Sequence, residues 1–99
     1  MQNFETDHGL LIGSITPNPD MLSTELDGDV VLMSAEQGRY YALDAVASSV
    51  WRRLDAGLTG EALIADLVAD FQGNSEQIRA DVLALLRNWL KEGLVRVDA

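Results

Sequence analysis

The sequence predicts an α+β domain in which a three-stranded antiparallel sheet is followed by three α-helices. Three observations predict it. Between Met21 and Leu43 the apolar residues fall in short β-favouring runs separated by two turn signals. After Asp44 the apolar spacing switches to three and four residues, the helical period. Each helical stretch is preceded by a residue that can cap a helix N-terminus: Asp44, Thr59, and Asn74 or Ser75. Runs of strands followed by runs of helices argue α+β.

The elements follow in order. "MLSTEL" (Met21–Leu26) alternates weakly and reads as a short strand. "DGD" (Asp27–Asp29) is a hairpin turn. "VVLMS" (Val30–Ser34) is apolar and β-branched, hence a second strand. "AEQG" (Ala35–Gly38) is a hairpin loop, and "RYYAL" (Arg39–Leu43) is the third strand. Val46, Val50, Trp51 and Leu54 make the first helical stripe, which "DAGLTG" ends. Leu63, Ile64, Leu67, Val68 and Phe71 make the second, broken by "QGNS". Ile78, Val82, Leu85, Leu86, Trp89 and Leu90 make the longest, stopped by Gly93. "LVRV" (Leu94–Val97) reads as a short closing strand. Three short amphipathic helices beside a small sheet make a winged-helix-like arrangement. Residues 1–20 read as a flexible or extended N-terminal arm, since "LLIGSI" is an isolated apolar run and Pro17 and Pro19 disfavour a helix.

Ninety-nine residues suffice for one domain. With 16 acidic and 7 basic residues the net charge is −9, which makes nucleic acid and anionic membranes poor partners and a basic or neutral peptide a better one. Cysteine is absent, so disulfides and thiol chemistry are excluded. The N-terminus has acids where a signal peptide needs positive charge, and no apolar run approaches the roughly 20 residues of a membrane helix. A cytoplasmic location is expected.

Catalytic equipment is missing from the pattern. His8 is the single histidine. "DGD" lacks the alternating acids and closing glutamate of a calcium loop, and "GLTG" lacks the length and lysine of a phosphate loop. Ser48 and Ser49 have no histidine partner in reach by sequence. A binding module without cofactor or metal is expected, not an enzyme.

"VVLMSAEQGRYYALD", "AVASSVWRRLDAG", "LTGEALIADLVADF" and "IRADVLALLRNWLKEGLV" together resemble the PqqD family. The matched features are Gly38 before the strand, the Tyr-x-Leu of Tyr41 and Leu43, Trp51 and Leu54, the break from Asp55 to Gly57, Asp81 and Val82, and the closing Gly93 to Val95. The resemblance covers about 21–97, and places the peptide-recognition domain at 21–99. The family usually has asparagine where this chain has Asp44, and both can cap a helix. "SAEQG" and "LDAG" stand where pyrroloquinoline-quinone members carry Pro-Glu and Cys-Asp-Gly. That departure points to the stand-alone recognition proteins of lasso-peptide or other modified-peptide clusters.

The resemblance implies a non-catalytic protein that captures the leader of a ribosomally made precursor peptide and presents it to modifying enzymes, such as a leader peptidase and a cyclase. The leader would lie as an added strand on the third strand, with its other side against the third helix. The implied peptide-binding residues are Gly38, Arg39, Tyr40, Tyr41 and Ala42 on the strand, and Ile78, Asp81, Val82 and Leu85 on the helix. Alternation places Arg39, Tyr41 and Leu43 on the inner face and leaves Tyr40 more exposed. Asp81, at the border of the apolar stripe, reads equally as a solvated helix acid and as a grip for a basic leader residue. Two other readings stand beside this one. A winged helix can bind DNA, but the charges of the third helix (Glu76, Arg79, Asp81, Arg87, Lys91, Glu92) cancel. A generic interaction or oligomerisation domain is the other, with a homodimer formed by strand exchange, "LLIGSI" of one copy occupying the edge of the next.

Overall fold

A computed structural model describes residues 3–98. In chain order it contains α1 (Asn3–Ile12), β1 (Ser14–Pro17), β2 (Met21–Leu26), β3 (Asp29–Ser34), β4 (Arg39–Ala42), α2 (Ala45–Arg53), a 3-10 turn (Leu54–Ala56), α3 (Gly60–Phe71), α4 (Ser75–Glu92) and β5 (Val95–Asp98). The strands form two antiparallel sheets, β2-β3-β4 and β1-β5.

Local chemistry explains the boundaries. Asp27 and Gly28 both have positive φ (56° and 87°), as the tight turn between twisted antiparallel strands requires. That turn pairs Leu26 with Asp29 and sets the register up to Met21 opposite Ser34. Asp44 caps α2 by accepting the Ala47 N–H, Thr59 caps α3 by accepting the Ala62 N–H, and Asn74 caps α4 by accepting those of Glu76 and Gln77. Gly93 ends α4 in the left-handed conformation.

The helices pack on the inner face of the three-stranded sheet. Val30 and Leu32 of β3 meet Val50, Trp51 and Leu54, Leu63 and Leu67, and Val82, Leu86 and Trp89 in one buried cluster. Fully burying a side chain such as Leu86 stabilises the fold by about 1.5–3 kcal/mol. Trp51 and Trp89 meet edge to face, with centroids 5.3 Å apart and planes at 81°. Arg53 joins α2 to α3 through Asp66 and Asp70, each at 2.6 Å. Arg52 holds α2 to the β2–β3 hairpin: it donates to both Glu25 carboxylate oxygens at 2.9 and 3.0 Å and to the Gly28 carbonyl at 2.6 Å.

Two expectations are overturned. The stretch 1–20 is not a free arm where it is described, and it is an extended strand only over residues 14–17; residues 1 and 2 lie outside the described residues. Residues 3–12 form α1, which packs on α3 and α4, and residues 14–17 form β1, which pairs with β5. Leu10 is 1% exposed and Ile15 fully buried, both within the main core. "LLIGSI" is therefore not free to occupy an edge of a second copy, because burial of its own apolar side chains holds it on its own chain. The order is also not three strands followed by three helices alone, since a helix and a strand precede that series. Gly60 shows how closely α1 sits: a Cβ there would overlap the Leu10 main chain. The expected closing strand is present as β5.

Candidate peptide-binding groove

β4 is an edge. It pairs with β3 on one side, and among the described residues no strand lies on the other. Leu43 donates its N–H to the Val30 carbonyl at 2.9 Å, one step beyond the pair Val31–Ala42. Hydrogen-bonded pairs alternate along an antiparallel ladder, so the main-chain groups of Tyr41 face β3. Those of Tyr40 and Ala42 point to the open side, each offering one N–H and one C=O.

α4 runs beside this edge without packing closely on it; its close neighbours are α1, α3 and β5. β4 approaches α4 at one end, and the helix α2 that follows β4 approaches it at the other. Arg39, at the start of β4, lies 3.6 Å from Glu92 in the last turn of α4. Beyond the end of β4, Val46 of α2 shares a cleft with Ile78, Asp81 and Val82 near the start of α4. Strand and helix thus border a groove with opposite chain directions.

The residues expected to bind peptide lie on the β3–β4 loop, β4 and α4. Gly38 ends the hairpin loop and donates to the Ser34 carbonyl at 2.8 Å. Arg39 and Ala42 are exposed, and Tyr40 is 72% exposed on the outer face, beside Met33. Tyr41 is half-buried and packs on the core from the inner face, as alternation requires. On α4, Val82 is buried, Ile78 and Leu85 are half-buried against the core, and Asp81 is exposed. The side chain of Tyr40 therefore points away from α4; its main chain faces the open edge.

Two recesses lie at the ends of the groove. At the Glu92 end, a polar recess of about 300 Å³ is lined by Asp20, Ser34, Gln37, Tyr41, Glu92 and Arg96. At the other end the cleft of about 210 Å³ adds Leu67 and Phe71 of α3 to Val46, Ile78 and Val82. Sequence reading assigned Val46, Leu67 and Phe71 to apolar stripes and not to the site. No local signal separates a stripe residue that is covered from one that is not. The basic residues Arg79 and Arg87 of α4 are ion-paired, to Glu61 at 3.1 Å and Asp7 at 2.7 Å. His8 is exposed on α1. Among the described residues no helix is long and apolar enough to cross a membrane.

Residues 29–95 match the family model for coenzyme PQQ synthesis protein D, PqqD. A solved structure of TbiB1 in complex with the TbiA(beta) leader peptide is 26% identical, with a TM-score of 0.76 over 82% of this chain and 94% of that one. A lasso peptide synthetase B1 complexed with the leader peptide is 19% identical, with a TM-score of 0.75 over 84% of this chain and 98% of that one, a likeness of fold. No curated protein matches the chain significantly.

Proposed function

From the premise that this chain belongs to the PqqD family, we propose that it is a non-catalytic leader-peptide-binding protein of lasso-peptide or related modified-peptide biosynthesis. The observation that carries the reading is the open edge of β4 beside α4. An extended peptide can take up the free main-chain groups of Tyr40 and Ala42 as a fourth strand, while α4 receives alternate side chains through Ile78, Val82 and Leu85. Arg39, Tyr41 and Asp81 supply polar contacts along the way. The two solved structures support the reading, since each was determined with a leader peptide. The part from 21 onward, β2 to α4, is the part we read as winged-helix-like.

The partner is the leader of a ribosomal precursor peptide, handed on to modifying enzymes such as a leader peptidase and a cyclase. A net charge of −9 favours a neutral or basic leader and disfavours DNA. Pairing of Arg79 and Arg87 with carboxylates removes the basic strip a reading helix would need. The decisive measurement is a calorimetric titration with the leader of the precursor encoded beside the gene. Micromolar or tighter binding is expected, with no retention of duplex DNA at physiological salt. Absence of leader binding at tens of micromolar would overturn the reading.

A further inference from the structure

The helices pack on the inner face of the three-stranded sheet, where Val30 and Leu32 are buried. The described residues leave its outer face without cover. The register puts Leu22, Met33 and Tyr40 in one row across that face, and Val31 beside Ala42 in the next. Leu26 stands on the same face at the hairpin end. Leu22 is 54% exposed, Leu26 64% and Tyr40 72%. By alternation the three strands carry one charged side chain on this face, Asp29. Apolar side chains that run uncovered across three strands mark an interaction surface.

We infer that this outer face docks the leader peptidase, through an apolar surface of that enzyme with basic residues at its rim. The inference rests on the leader-binding reading. Continuity with the β4 edge argues for this occupant. A strand paired with the main chain of Tyr40 and Ala42 alternates its side chains, so half of them enter the groove beside α4. The other half lie on the outer face, next to Tyr40 and Ala42. An enzyme docked here touches the domain and the leader together, and the modifying enzyme that must recognise the leader as its substrate is the peptidase. Charge argues for the same kind of surface. Asp27 and Asp29 at the β2–β3 turn, Glu36 in the β3–β4 loop and Asp44 after β4 are exposed around the face. Arg39, the basic residue of β4, is turned to the other side and pairs with Glu92. A basic rim is attracted to these acids, whereas a second copy would set the same acids against them.

A face completed by the leader couples its two partners: leader and peptidase each raise the affinity of the other by the same factor. The purified peptidase encoded beside the precursor is titrated into the wild type, Leu22→Glu and Leu26→Glu, each free and saturated with synthetic leader. Both substituted side chains are exposed and lie on β2, the strand furthest from the leader's edge. Circular dichroism verifies the fold of each variant, and calorimetry its leader affinity.

The loaded wild type is expected to bind the peptidase about tenfold tighter than the free one. Leu22→Glu and Leu26→Glu should each weaken that binding about tenfold or more, with leader affinity unchanged. Either variant keeps the test open if the other does not fold. Equal peptidase affinity with and without leader, or wild-type affinity in the folded variants, overturns the docking surface and leaves leader binding intact. A wild-type dimer in sedimentation that the variants abolish also overturns it, by assigning the face to a second copy. Failure of the wild type to bind the leader overturns both readings.

Discussion

The hydroxyl of Ser48 accepts the main-chain N–H of Val30 at 2.8 Å. The same hydroxyl donates to the Leu43 carbonyl at 3.2 Å, and Ser48 is fully buried. One side chain thus joins β3, the end of β4 and α2, and fixes the edge strand relative to the helices. A serine without a histidine partner has a structural reason to be here. Ser48→Ala leaves the buried Val30 N–H without its partner and should cost about 1–3 kcal/mol. A lower midpoint with unchanged slope in urea unfolding checks this.

Proline substitution separates edge from ladder. At Ala42 it removes an N–H that faces the open side, and at Tyr41 one that faces β3. Ala42→Pro should keep the native circular dichroism spectrum and weaken leader binding by about tenfold. Tyr41→Pro should lower the unfolding temperature sharply. Equal leader affinity in Ala42→Pro and the wild type would contradict strand addition at this edge.

Gly60 tests the packing of α1. A methyl group there meets the Leu10 main chain, which can yield only if α1 moves. Gly60→Ala should cost about 1–3 kcal/mol, the range of overpacking. Faster amide exchange through residues 8–12 than in the wild type would locate the loss in α1.

Glu25 offers a measurement at low pH. Its hydrogen bond with Arg52, reinforced by the charge, holds its carboxyl below the ordinary value of 4.5. The folded value is depressed, so the ion pair favours the fold above the unfolded value. That contribution is lost as the pH falls through the folded one. In a carboxyl-resolved NMR titration Glu25 should titrate below the ordinary value of 4.5. Arg52→Ala should return it to the ordinary range; a Glu25 midpoint that stays low in Arg52→Ala would refute the assignment.

The chain's own residues carry the local decisions. Asp44, Thr59 and Asn74 each accept N–H groups within their own first turn, so the starts of α2, α3 and α4 are legible from neighbours in sequence. Asp27–Gly28 sets a hairpin by its own backbone preferences. The alternation that turns Tyr41 inward and Tyr40 outward is likewise a property of four residues. Family membership is carried by an ordered set of such signals.

What only the tertiary structure decided involves distant partners. Ser14 pairs with Asp98 and Ile15 with Val97, contacts that no window of sequence contains, and they turn an expected arm into part of the core. α1 is not legible from sequence for a related reason: its apolar run, Leu10–Ile12, is only three residues long between Gly9 and Gly13, and the burial of Leu10 depends on α3 and α4. Periodicity also treats Val46, Phe71 and Leu67 alike as apolar stripe. Packing covers Leu67 and leaves Val46 and Phe71 at an open cleft. Whether a stripe is core or binding surface depends on what lies opposite it, and that is settled by how the helices and the sheet come together.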